Sequence, residues 1–170
     1  QTGAQGTARL VSDGLTVAPA NLAAGGQFLM TVTGLAAGQH TLLTYHNAWD
    51  ALAAGSLGPI DIHVNGTLAV DNLQPSIRAA NNSAAASAYL DFGVSGPADT
   101  ATFRFAADPD ASGGGAITIR NAMINGFEID TPNSIRVALN PLPADADEHV
   151  DADSNSITLS WSPALAGNIA

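Results

Sequence analysis

From Leu10 to Ile129 apolar and polar residues alternate with a period of two, and no stretch of twelve residues carries a helical stripe. Successive side chains of a strand point to opposite faces, so this alternation builds sheets with one packed face and one wet face. Phe28, Met30 and Val32 share one face of the run 27–33, and Leu90, Phe92 and Val94 share one face of another. Ile60, Ile62 and Val64 alternate with Asp61 and His63, and Phe103 and Phe105 alternate with Thr102 and Arg104.

Turn signals fall between these runs. Gly34 to Gly38 separates the strand at 27–33 from its return at 40–45. Asn65-Gly66 predicts a tight hairpin, because both residues tolerate positive φ. Leu10, Val11, Leu15 and Val17 flank Ser12-Asp13-Gly14 and predict a short hairpin or paired edge strands. Ile117 and Ile119 open a strand expected to run, across a bulge near Asn121, into Met123 to Ile129. Short strands with turns every eight to twelve residues predict an all-β fold, a jelly-roll β-sandwich.

The pattern changes after Asp130. Thr131-Pro132-Asn133 marks a boundary between a sandwich over 1–130 and a second segment over 131–170. That segment holds a strand or linker at Ile135 to Leu139, two prolines and an acidic stretch from Asp145 to Asp153. An alternating run, Ile157, Leu159 and Trp161, ends it. It is a partial second β-sandwich, with too few strands to stand alone. Either these strands pack onto the first sandwich or they begin a domain cut short, whose open edges offer pairing to copies of the chain.

Composition narrows the function classes. Cysteine is absent, which removes disulfides and thiolate metal sites. Fifteen acids stand against five positive side chains, all arginines, for a net charge of −10. That balance argues against nucleic acid as a partner, since phosphate needs neutralising. No apolar run reaches the ~18 residues of a membrane span, so no membrane insertion is expected. The chain begins with Gln1 rather than Met, and a processed product is expected. Lysine-free, cysteine-free chains rich in Ala, Gly, Asp, Asn and Thr are typical of secreted bacterial modules, which predicts a secreted or cell-surface location.

Particular residue runs then suggest a family. GLAAGQHTLLTYHNAWD, PIDIHVNGTLAVDNLQPS, TFRF and NAMINGFEID, in that order, resemble malectin-like carbohydrate-binding domains over about residues 10 to 130. The closing run from Asn121 to Asp130 is the most specific piece. Separately, NPLPADADEHVDADSNSITLSWSPA resembles the opening strands of a fibronectin type III-like domain, with Trp161 as its core tryptophan. The two resemblances imply a jelly-roll domain with ligand sites on its end loops, inside a larger modular protein.

The candidate chemistry concentrates after the strand at 40–45. Sugar recognition needs an aromatic face for the apolar side of the ring and planar polar groups for its hydroxyls. Tyr45, His46, Asn47, Trp49 and Asp50 supply both, and a glycan or polysaccharide is the expected partner. The alternative makes Tyr45 and Trp49 apolar plugs, with His46 and Asn47 capping the loop. Arg78 with Ser76, and Asn121 with Asn125, are candidates to reach the same end, or else hold turns and ladders. Asp108 and Asp110 ahead of Gly113 resemble half of a calcium loop, without the bidentate Glu of an EF-hand, so structural calcium is the candidate cofactor. The four histidines show no metal-ligand spacing, and no nucleophile elbow or phosphate-binding glycine loop is present. The expectation is a binding module and not an enzyme, with a subunit of an extracellular fibre or adhesin as the alternative.

Overall fold

The computed structural model describes residues 13–108, 117–131, 139–142 and 158–162. The chain divides into two units, Gln1–Thr131 and Pro132–Ala170.

In the first unit the strands are β1 (Leu15–Val17), β2 (Gln27–Thr33), β3 (Gly38–Ala48), β4 (Ile60–Val64) and β5 (Thr67–Leu73). They continue as β6 (Ser76–Ile77), β7 (Ala86–Val94), β8 (Thr100–Ala107), β9 (Ala122–Ile124) and β10 (Gly126–Ile129), with one 3-10 turn at Asn82–Ala84. One sheet runs β2-β8-β4-β5, all antiparallel. In the other, β3 pairs with β10 and β7 antiparallel and with β6 in parallel. The chain crosses between these sheets after β2, β3, β5 and β7, in the jelly-roll manner. β1 pairs with β9 in a small third sheet.

The core lies between the two large sheets. Val32, Ile62, Phe103 and Phe105 from one pack against Leu42, Leu90, Phe92 and Val94 from the other. Each side chain of this kind contributes roughly 1.5–3 kcal/mol when fully buried. Phe92 meets Phe103 edge-on across the sandwich at 5.1 Å, and Phe28 stacks on Phe105 at 4.9 Å. The first of these contacts joins the two sheets, and the second lies within the β2-β8 pair. The all-β sandwich is the architecture that the period-two pattern predicts.

Two local expectations are corrected. The hairpin expected ahead of β1 rests on Leu10 and Val11, which lie outside the described residues; β1 itself pairs with β9, where Leu15 meets Ile124. Ile119 makes only an isolated parallel bridge to Leu57, and the strand expected from Ile117 begins at Ala122. The closing run is two strands, because Asn125 turns its side chain to other elements between β9 and β10. The Asn65-Gly66 turn is as expected, with φ of 49° and 84°. Asn65 also clips the hairpin to β8, donating its N–H to the Thr102 carbonyl and accepting the Thr102 N–H on Oδ1.

In the second unit, β11 (Leu139–Leu142) pairs antiparallel with β12 (Ser160–Ser162). Of the strand or linker expected at Ile135 to Leu139, only Leu139 lies within the described residues. Most of the fibronectin-like segment lies outside the described residues.

Candidate functional site

Strand β3 runs further than its sequence suggests, and this sets the site. β7 pairs with it as far as His46, and β6 then takes Asn47 and Ala48 in parallel. Backbone groups that look free in sequence are thus ladder-bonded, and the exposed loop begins at Trp49. Tyr45, His46 and Asn47 are buried strand residues, whereas Trp49 is 51% exposed and Asp50 is exposed.

His46 is the most enclosed of these, with no exposed surface. Its Nδ1 lies 2.7 Å from the Met123 carbonyl and its Nε2 2.8 Å from the Thr44 hydroxyl. A carbonyl only accepts, so Nδ1 carries the proton and Nε2 accepts from Thr44. Burial pushes the ring pKa down to about 4, against the pull of the Met123 carbonyl. Both ring nitrogens are therefore taken: Nδ1 joins β3 to β9, and Nε2 bonds Thr44 within β3. The expectation of His46 as a ligand donor gives way to a polar joint in the core, packed on Phe105 at 5.6 Å.

Tyr45 points to the opposite, outer face of its sheet. Its hydroxyl donates to Glu128 Oε1 at 2.7 Å, and Glu128 Oε2 accepts from Thr131 at 3.0 Å. The Asn47 side-chain oxygen accepts the Ala79 N–H at 2.8 Å and the Ser76 hydroxyl at 2.9 Å. Those bonds shape the turn in which Arg78 sits at φ 54°. Neither Tyr45, His46 nor Arg78 lines the cavity described next.

That cavity is an open groove of about 570 Å³. Its lining comes from three stretches, 13–22, 47–57 and 118–125. Asn47, Trp49, Asp50, Asn121 and Asn125 are sequence candidates that line it; Asn21, Thr118 and Arg120 also do, without any local signal to nominate them. Ala48, Leu57 and Met123 form a packed cluster against the groove, with Leu52 and Ile119 beside them. The 49–59 loop is stitched to 117–120: Thr118 and Ile119 donate N–H groups to the Ser56 carbonyl, and Gly58 donates to the Ile119 carbonyl at 2.9 Å. Leu22, half-exposed like Trp49, adds a second apolar surface to the lining. The groove thus offers one indole ring, aliphatic surface, carboxylate, amide, hydroxyl and guanidinium groups within one small volume.

Asp108 is buried, and its main-chain oxygen accepts Arg120 Nη1 at 2.7 Å. Asp110 lies outside the described residues. Among the described residues no cluster of three or more His, Asp or Glu side chains is placed to hold a metal ion.

No family model matches the sequence, and no curated protein does. Structural comparison matches the chain with a family 35 carbohydrate binding module from an environmental isolate, at 17% identity and a TM-score of 0.38, over 68% of this chain and 72% of that one. The ANX2 ectodomain from Arabidopsis thaliana matches at 14% identity and 0.42, over 68% of this chain and 31% of the ectodomain. CBM35 from Cellvibrio japonicus Abf62 matches at 12% identity and 0.34, over 71% and 99%. The chain accounts for less than a third of the ANX2 ectodomain.

Proposed function

We propose that the first unit is a non-catalytic carbohydrate-binding module of a secreted or cell-surface modular protein, and that the 570 Å³ groove is its binding site. The observation that carries this reading is Trp49, half-exposed in the lining beside Asp50 and Asn121. A large apolar ring left in contact with water is unfavourable unless something covers it, and a pyranose face covers an indole well. Asp50 accepts from sugar hydroxyls, while Asn121 both donates and accepts. The groove volume is typical of small-ligand sites.

Retention of the full chain on immobilised polysaccharides, by affinity electrophoresis across a broad panel, tests the proposal. Retention is expected on at least one glycan, and Trp49→Ala is expected to weaken it by roughly 1–3 kcal/mol, the range for loss of an aromatic stacking partner. An intact fold with no retention on any glycan, or a Trp49→Ala variant that binds as the parent does, overturns it.

A further inference from the structure

The outward face of the β2-β8-β4-β5 sheet carries one row of side chains across all four strands. Leu29 stands opposite Arg104, Arg104 opposite His63, and His63 opposite Leu68. Directly paired residues share a face at about 5 Å spacing. Both leucines are well exposed, at 62% and 47%. Arg104 Nη2 donates to His63 Nε2 at 2.7 Å. A guanidinium can only donate, so Nε2 accepts and the ring proton sits on Nδ1, which is enclosed without a partner among the described residues. Burial, then the neighbouring guanidinium, lowers the His63 pKa, against a weaker upward pull from Asp61.

Arg104 has no carboxylate partner among the described residues. Asp61 lies two residues before His63 on the same face, yet its Oδ1 is taken by the Asn72 N–H at 3.0 Å. Among the described residues no carboxylate comes within 4.0 Å of Arg104; the one ion pair is His40–Asp130. In a chain with fifteen acids and five arginines, a guanidinium that faces outward with a neutral imidazole as its partner is out of keeping with the rest of the charge pattern.

We propose that this row is a docking site for an acidic side chain of a partner protein, with the carboxylate on Arg104 and its aliphatic neighbours on Leu29 and Leu68. The charge complement is specific: a planar guanidinium takes a carboxylate in bidentate fashion, and flanking leucines exclude water from the pair. The face suits a peptide over a glycan, because Phe28, Phe103 and Phe105 of this sheet all belong to the core and leave no Phe, Tyr or Trp outside for a sugar ring to stack on. This site is separate from the groove and does not depend on the groove's function.

The test is an NMR titration of the labelled full chain with Ac-Leu-Glu-Leu-amide, Ac-Leu-Gln-Leu-amide and glucuronate as probes. The acidic peptide is expected to shift the Arg104 side-chain and His63 ring signals saturably while leaving Arg78 unmoved. The Gln peptide should bind about tenfold more weakly, the loss of one charge-assisted pair. Arg104→Gln should abolish the response; if that variant does not fold, the wild-type titration decides alone. Equal affinity for the two peptides, parallel shifts at Arg78, no saturable shift, or glucuronate binding as tightly as the peptide each overturns the proposal.

Discussion

The side-chain amide of Asn125 donates to the main-chain carbonyl of Asp13 at 2.8 Å, joining residues 112 positions apart. Its oxygen accepts the Asn47 N–H, so one side chain ties the strand that leads to Trp49 to the residue that leads into β1. Asp13, Asn47 and Asn125 all line the groove, and this clamp fixes the gap between two of its walls. Asn125→Asp keeps an acceptor for Asn47 but sets a carboxylate against the Asp13 carbonyl. A stability loss of about 1–3 kcal/mol is expected in urea unfolding, because a donor is lost and an acceptor is left facing charge. Asn125→Ala removes both bonds, the Asn47 acceptor included, and a loss of similar size is expected without added repulsion.

His46 predicts an acid-sensitive core. Its folded pKa of about 4 lies below the ordinary 6.5, so the unfolded chain takes up the proton first. Its contribution is therefore intact above about pH 6.5 and is lost progressively as pH falls towards 4, by roughly 3 kcal/mol in all. His40 acts in the opposite sense, because the Ala36 carbonyl and Asp130 raise its pKa and favour the folded state on the acid side. Urea midpoints measured from pH 7 to 4.5 should fall for the parent chain. His46→Leu should be less stable at pH 7 but hold a flatter profile; an equally steep one would assign the acid loss elsewhere.

Gly26 sits where three backbones meet. Its N–H donates to the Arg120 carbonyl and its carbonyl accepts from Ala107, both within 2.8 Å. A Cβ there would press on the Val17 carbonyl oxygen and come within 2.9 Å of the Ala122 nitrogen. Main chain cannot swing aside, so Gly26→Ala is expected to cost about 3 kcal/mol or more in thermal unfolding. Gly93→Ala is the contrast. The nearest atoms there belong to the exposed Gln39 side chain, which can move, and the change should stay within about 0.5 kcal/mol.

Tyr45→Phe removes the hydroxyl bonded to Glu128 while leaving the ring packed on Ala79 and Ala85. Loss of a partly buried bond to a carboxylate should lower stability by about 1.5–3 kcal/mol without changing retention on any glycan. A matching loss of retention would instead place Tyr45 in the binding surface.

Alternation alone determined the class of fold and much of the core. Phe28, Met30 and Val32, or Leu90, Phe92 and Val94, need no distant information to choose a face, because the pleat decides it two residues at a time. The Asn65-Gly66 hairpin is equally local, since its φ values belong to those residue types. Trp49, Asp50 and Asn121 were recognisable as site candidates from residue type. Their neighbours Asn21, Thr118 and Arg120 were not, because nothing nearby in the chain brings 13–22 and 118–125 beside 47–57. The pairing of β1 with β9, the Asn125 clamp and the backbone bonds between Ser56, Gly58 and residues 118–119 do that. The same holds for Tyr45, His46 and Asn47. Polar residues at the end of an apolar run look like a loop until β7 and β6 are seen to satisfy their backbone. Strand character is set by neighbours in sequence; where a strand ends, and which polar side chains are left to meet a ligand, depends on hydrogen-bond partners that the chain reaches only after folding.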